Sequence, residues 1–600
     1  MNETSQRHYS FGQFRLNLPD RLLTRNGVAV SLPPKAFDLL ALLVESAGHL
    51  VDKARIIQTL WPDTFVEEAN VPNLIGLLRK TLGDSSKEPK YIQTVPKLGY
   101  RFVAALSPLE RKPRECTAGP GLAKIRIIAF PFRSDPYGAG ASYLAYSLPE
   151  AIAATLAELN AFTVRSTQLA TRFDPLVWDP KSVAAEADVD VILTGALART
   201  EDRIHVTTEL IDARGSTVLW SKVWVISVRD LHRLHSGVVQ LIVRSLVRGA
   251  REDDEASIRS LDVPSAPSAY EYYLRANQLA LKRTPENMAL ARDLYVASTE
   301  VDPNYAPAWA RLGRCYHWLG KFSAQAIGSS AALTEAAFQR AFQLNPQLSI
   351  AHSAYTPFEA DLGRAQQAMI RLLKTLEWSE SNAEIFAALV HACRYCGQLG
   401  ASITAHERAF RLDRHRHTSV AHTYFALGDY EKALHWYGTS GGLYLDVLAL
   451  ASMDRLDEAS SLLWTRRDRF SMASVLMRSL ECYLNGDPAG GLAALRGELS
   501  SCSQDPEAWF YMARQAARFG DVDLAHELVA KSAERGYCAS VALKHDPWLE
   551  SLRATPAFER LLSLVLARES VALDAFEEAG GERLLSRGQT LAPQLRAASR

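Results

Sequence analysis

Residues 91–104 read YIQTVPKLGYRFVA, and this stretch decides the N-terminal fold. Apolar and polar residues alternate on either side of Pro96-Lys97-Leu98-Gly99, predicting strands at Tyr91–Val95 and Tyr100–Val103 joined as a hairpin. Immediately before it, LLRKTLGD (77–84) ends a helical pattern. Val71, Ile75, Leu78 and Leu82 repeat at helix spacing, Asn70 can cap the helix, Pro72 falls in its first turn, and Gly83 closes it. Further out, Asp52 caps a helix Lys53–Leu60 ended by Trp61-Pro62, and Ala36, Leu39, Leu40 and Leu43 mark a helix after Pro33-Pro34. Tyr9–Phe11, Phe14–Leu16 and Val28–Leu32 read as strands. Three helices followed by a hairpin are the parts of a winged helix-turn-helix, an α+β fold.

The face of helix 71–82 opposite its apolar stripe carries Asn73, Gly76 and Lys80, flanked by Leu74 and Leu77. Asn can read adenine, and an apolar side chain can touch the thymine methyl. Arg79, Lys80, Lys97 and Arg101 are the expected phosphate contacts. From Gly76 to Val103 there are six Lys and Arg against two acids, whereas the whole 600-residue chain has 67 of each sign. Such a balance excludes nucleic-acid binding over the entire surface and leaves a local basic face. Trp61, Tyr100 and Phe102 read as core residues rather than base-stackers.

The motifs YSFGQFRL, LPPKAFDLLALLVESAGHLVDK, LWPDTFVEEAN, LLRKTLGD and YIQTVPKLGYRFVA, in that order, resemble the OmpR/PhoB-type winged-helix DNA-binding domain over residues 8–104. The resemblance implies double-stranded DNA as ligand, with Asn73, Gly76, Leu77, Arg79, Lys80, Lys97 and Arg101 at the interface. Recognition-helix positions beside the Arg-Lys pair are usually polar or basic in that family; Leu74, Gly76 and Leu77 depart from this. With the winged helix beginning within the first ten residues, no receiver domain is expected ahead of it.

Two Pro-containing polar stretches, 107–122 and 252–268, read as linkers. Between them, Lys124–Phe132, Phe162–Ser166, Val189–Leu197, His205–Asp212 and Val218–Val225 read as strands. Ala145–Leu159, Ser182–Ala187 and Asp230–Val247 read as helices, giving an α/β sandwich over 123–248. IIAFPF and ADVDVILTGALARTEDRIHVTTELIDARGSTVLWSKVW make this part similar to the TolB-like α/β domain, although that family usually has an Asp-Gly pair where Tyr146-Ser147 stand here. No phosphate-binding glycine loop or catalytic triad stands out, so no enzyme activity or cofactor is expected.

Residues 269–565 are helical in pattern. Trp309-x2-Leu312-Gly313-x2-Tyr316 and Phe338-x2-Ala341-x4-Pro346 match the two helices of the tetratricopeptide signature, and Trp509 to Ser532 forms a further unit. The resemblance implies an all-α superhelix whose concave surface takes a protein or peptide, followed by a tail at 566–600. His391, Cys393 and Cys396 share one helix, but a lone C-x-x-C is a poor zinc signature, and His415, His417 and His422 read as a solvated basic end. Seven cysteines, no signal-peptide pattern and no apolar run of membrane-spanning length point to a cytoplasmic protein without membrane contact. The combined expectation is a DNA-binding transcriptional regulator with RNA polymerase as a further partner. The alternatives are a repeat scaffold whose winged helix does not act at promoters, and a small-molecule sensor built on the middle domain.

Overall fold

The computed structural model describes residues 8–17, 22–25, 28–30, 32–60, 70–85, 89–96, 98–104, 107–108, 124–134, 142–159, 161–173, 178–199, 203–247, 264–322, 330–379, 382–440, 444–465, 474–497 and 505–586. The chain forms two compact units, Met1–Gly121 and Leu122–Arg600.

In the first unit, β1 (His8–Phe11), β2 (Phe14–Asn17), β3 (Leu22–Arg25) and β4 (Val28–Val30) make an antiparallel sheet. Then follow α1 (Pro34–Glu45), β5 (Leu50–Asp52), α2 (Lys53–Leu60), α3 (Asn70–Leu82), β6 (Ile92–Val95), β7 (Gly99–Phe102) and β8 (Ser107–Pro108). The hairpin gains a third strand that the apolar pattern did not reveal. β5 pairs with β7, Val51 opposite Tyr100, giving the order β5-β7-β6. Asp52 still caps α2, its Oδ1 accepting from the Arg55 amide at 2.7 Å. The stripe Val71, Ile75, Leu78 and Leu82 is buried against Leu40, Val51 and Phe102. Phe11 meets Phe102 edge-on at 5.0 Å, tying the first sheet to the hairpin. Tyr100 and Phe102 are core residues as expected, while Trp61 lies outside the described residues. The stretch read as a linker from 107 begins as a strand, because Ser107 and Pro108 pair with Ser10 and Tyr9 of β1; residues 109–122 lie outside the described residues.

The second unit opens with β9 (Ile125–Ala129), β10 (Arg133–Ser134), α4 (Ser142–Ala157), β11 (Phe162–Val164), α5 (Thr167–Ala170) and α6 (Pro180–Ala187). It continues with β12 (Val191–Arg199), β13 (Ile204–Asp212), β14 (Thr217–Ile226) and α7 (Leu231–Leu246). The sheet order is β11-β9-β12-β13-β14; the first three strands are parallel and the last two antiparallel to their neighbours. α4 and α7 cover one face through Leu148, Ile152, Leu234 and Val238. α5 and α6 cover the other through Leu169 and Val183 against Ile128 and Ile192.

The helices that follow are not a separable domain, which corrects the reading of 252–268 as a flexible joint. Residues 252–263 lie outside the described residues, but Pro264 is buried and a helix starts at Pro267. Ser265 Oγ donates to Asp302 at 2.9 Å. Tyr270 hydrogen-bonds His235 of α7 at 2.9 Å, and Tyr270, Tyr273 and Leu274 share one apolar core with Leu148 and Val239. The apolar face of the first helix is large and aromatic, and α4 and α7 are the surfaces that bury it.

Beyond it, helices pack in consecutive pairs, such as Ala306–Phe322 with Ser330–Leu344, Ala383–Tyr395 with Leu399–Leu412, and Pro506–Arg518 with Val522–Glu534. They do not run as an open row in which each pair meets only its neighbours. Arg394, 1% exposed, donates from Nε and Nη2 to both carboxylate oxygens of Glu507, at 3.0 and 2.8 Å. The Cys538 amide donates to Tyr395 O at 2.8 Å, and Lys321 bridges Asp361 and Asp505. One core accordingly runs from Ala360 to Leu585. The expected tail at 566–600 is corrected by the same core: a helix Phe558–Glu578 runs through 566, and a last one spans Gly581–Ser586. Ala572, Phe576, Leu584 and Leu585 bury their side chains and hold these helices down.

Candidate nucleic-acid interface

α3 is amphipathic, and its core stripe dictates what faces outward. Asn73, Gly76 and Lys80 are exposed, one above another at helix spacing. A Cβ built on Gly76 would meet nothing within 4 Å, so the backbone there is open to close approach. Leu74 and Leu77 are half-buried and pack against the core, so Leu77 presents only part of its side chain outward.

Arg79 also has partners within the domain. Its Nη2 donates to Ile92 O at 2.8 Å and to Thr94 Oγ1 at 2.9 Å, tying α3 to β6. The guanidinium is long enough to turn back along the helix flank and satisfy a strand-end carbonyl through Nη2. Asp84 completes the joint. Its Oδ1 accepts from the Lys90 amide at 2.6 Å and its Oδ2 from the Ile92 amide at 2.8 Å. Asp84 and Thr94 position the hairpin on the helix. The sequence signal for them was an Asp directly after the Gly83 helix stop, which on its own reads as ordinary turn chemistry.

Arg101 is half-buried on β7, paired with Gln93 of β6 and Leu50 of β5. Its Nε is buried and has no acceptor among the described residues. Lys97, at the hairpin turn, lies outside the described residues. Gly99 admits no side chain: a Cβ would stand 2.2 Å from Val51 O, so the β5–β7 pairing itself requires glycine. The structure thus brings Asn73, Gly76 and Lys80 to one face, beside a hairpin anchored by Arg79 and Asp84.

The family described as "Transcriptional regulatory protein, C terminal" matches residues 27–102, which contain α1–α3 and the hairpin. The N-terminal unit carries a domain of the OmpR/PhoB DNA-binding type. Among curated proteins, the chain is similar to the transcriptional regulator HilA of Salmonella typhimurium, 24% identical over 319 residues, covering 52% of this chain and 54% of that one. It is also similar to the transcriptional activator CadC of Escherichia coli, 34% identical over 82 residues, covering 14% of this chain and 16% of that one. Against HilA, the chain spans about half the relative's length. Among solved structures, the Klebsiella pneumoniae RstA DNA-binding domain in complex with RstA box is 29% identical, covering 16% of this chain and 98% of that one, with a TM-score of 0.15.

The Cys-rich helix has a different character from a metal site. Cys393 and Cys396 are buried free thiols, and burial pushes the Cys393 thiol up to about 12 and holds His391 down at about 3. Among the described residues, no group of three or more His, Cys, Asp or Glu is placed to hold a metal ion. No described helix is long and apolar enough to cross a membrane.

Proposed function

We propose that this chain is a sequence-specific DNA-binding transcriptional regulator, in which α3 enters the major groove and the second unit receives the signal. The single observation that carries this reading is the exposed row Asn73, Gly76 and Lys80 on a helix whose opposite face is core, beside a hairpin anchored to that helix. In this reading Asn73 reads base edges and Leu77 touches a thymine methyl with its outward part. Lys80, Lys97 and Arg101 bind phosphate, and the open backbone at Gly76 lets the helix approach the groove floor. Arg79 acts indirectly, by holding the hairpin. The matched family and the names of the similar proteins support the regulatory role. Cytoplasmic location, contact with RNA polymerase and a peptide partner on the helical region belong to the same proposal.

Genome-wide occupancy of the full-length protein tests it. Wild type should occupy discrete promoters, and Asn73→Ala should redistribute that occupancy rather than lower it evenly. Occupancy spread without preference over the genome would refute sequence-specific action.

A second reading, a small-molecule sensor in the second unit, is favoured by a cleft between the α/β layer and the first helices.

A further inference from the structure

The α/β layer is stitched to the helices at three points around this cleft. Glu150 of α4 accepts from Arg311 Nη2 at 2.9 Å, and Glu158 accepts from Ser349 Oγ at 2.9 Å. Asp413 Oδ2 accepts from the Ser166 amide at 3.1 Å. These stitches leave between them a cavity of about 1070 Å³. That is ample for a metabolite-sized ligand.

The walls of the cavity are rich in arginine, and one of these, Arg165, pairs with Asp188 behind the wall. Five arginines line the cavity, Arg165, Arg283, Arg311, Arg314 and Arg416, against four carboxylates, Glu150, Glu158, Glu384 and Asp413. The carboxylates are committed: Glu150 to Arg311, Glu384 to Arg416 at 3.0 Å, Glu158 to Ser349, and Asp413 to the amides of Ser166 and His415. Among the described residues, no carboxylate or carbonyl pairs with Arg314. Burial, and then the neighbouring charges of Arg311 and Arg283, lower its pKa.

Three further donors in the same walls are unsatisfied. Arg165, 2% exposed, donates from Nε to Ala187 O at 3.0 Å and from Nη2 to Asp188, yet its Nη1 is buried with no acceptor. The same holds for Arg311 Nε and for Nδ2 of Asn277, whose Oδ1 accepts from Tyr295 at 2.6 Å. Buried donors without acceptors are rare, and each costs about 1–3 kcal/mol. Three of those found among the described residues belong to the walls of this cavity, and each of the three is a donor.

We propose that this cleft is an effector site for a small organic anion, a phosphate- or carboxylate-bearing metabolite whose charged oxygens pair with Arg314 and Arg283. Because the ligand bridges α4, β11 and the first helical pairs, occupancy rigidifies the junction between sheet and helices, a means of carrying a signal within the second unit. The inference stands independently of what the N-terminal unit binds.

The test is hydrogen exchange and calorimetry on the full-length chain, at matched ionic strength in chloride. Pyrophosphate and citrate serve as separate phosphate and carboxylate probes. At least one should bind saturably and slow exchange in 273–283 and 306–316. Which one binds distinguishes a phosphorylated ligand from a carboxylic acid. Arg314→Gln should weaken binding at least about tenfold, the scale of one lost charge-assisted hydrogen bond. Arg283→Gln, on an exposed turn and safe for folding, should weaken it in the same direction. Arg229→Gln, outside the cleft wall, should leave it unchanged. Three outcomes overturn the proposal: no saturable binding of either probe, equal affinity in both cleft variants, or protection confined to 70–104.

Discussion

Arg79 and Lys80 are adjacent cations on one helix, and the proposed function gives them opposite work. Arg79→Gln removes two hydrogen bonds that hold β6 to α3, at 2.8 and 2.9 Å. One is partly buried and the other exposed, so solvent screening trims their worth. Together they contribute about 1–2 kcal/mol. That corresponds to roughly a 5–30-fold rise in the population of the opened hairpin. Amide exchange across residues 92–102 of the full-length protein should accelerate by that factor. Binding to a random-sequence duplex, followed by fluorescence anisotropy across a salt series, should weaken while the slope of log K against log salt stays the same. Lys80→Gln should do the reverse: unchanged exchange, and a slope flatter by about 0.9, the value of one lost phosphate contact. If Arg79→Gln flattens the slope by that amount and leaves exchange untouched, Arg79 reaches phosphate and the anchoring argument fails.

Other consequences follow from packing and burial. Gly99→Ala forces a Cβ to 2.2 Å from Val51 O, and should destabilise the three-stranded sheet by about 1–3 kcal/mol, read as a lower urea midpoint for loss of DNA binding. A chain ending at residue 248 should be insoluble or bind hydrophobic dyes, because Tyr270, Tyr273 and Leu274 complete the core over α4 and α7; a soluble, cooperatively unfolding fragment would contradict the shared core. His235 is held neutral by burial, its pKa lowered to about 4, so the unfolded chain takes up its proton first as pH falls. Its stabilising contribution is full above about pH 6.5 and is lost between there and about pH 4. His235→Gln should therefore flatten the decline of melting temperature over that window.

Much of the N-terminal unit was legible because its signals are local. The 3.6-residue stripe of α3, the Asp52 cap and the alternation around Pro96–Gly99 each follow from residues a few positions apart. Sequence also ordered the α/β segment, since its strands other than β10 are apolar-rich runs bounded by turn chemistry. β5 was invisible because Leu50–Asp52 is a strand only by virtue of its partner, Val51 pairing with Tyr100, 49 residues later. Arg79 reads as one more basic residue until a strand carbonyl is placed beside it.

Sequence by itself determined the winged-helix motif, the basic character of its outward face, and the largely helical nature of the described residues between 269 and 565. Only the tertiary structure decided that the sheet and helices share one core and that the helices curl back through Arg394–Glu507. It alone gathers unsatisfied donors from Arg165, Asn277 and Arg311 around one cleft. The reason is physical. Periodicity records which face of an element avoids water, but not which distant surface will cover it, and a polar side chain's role depends on partners that only the fold supplies.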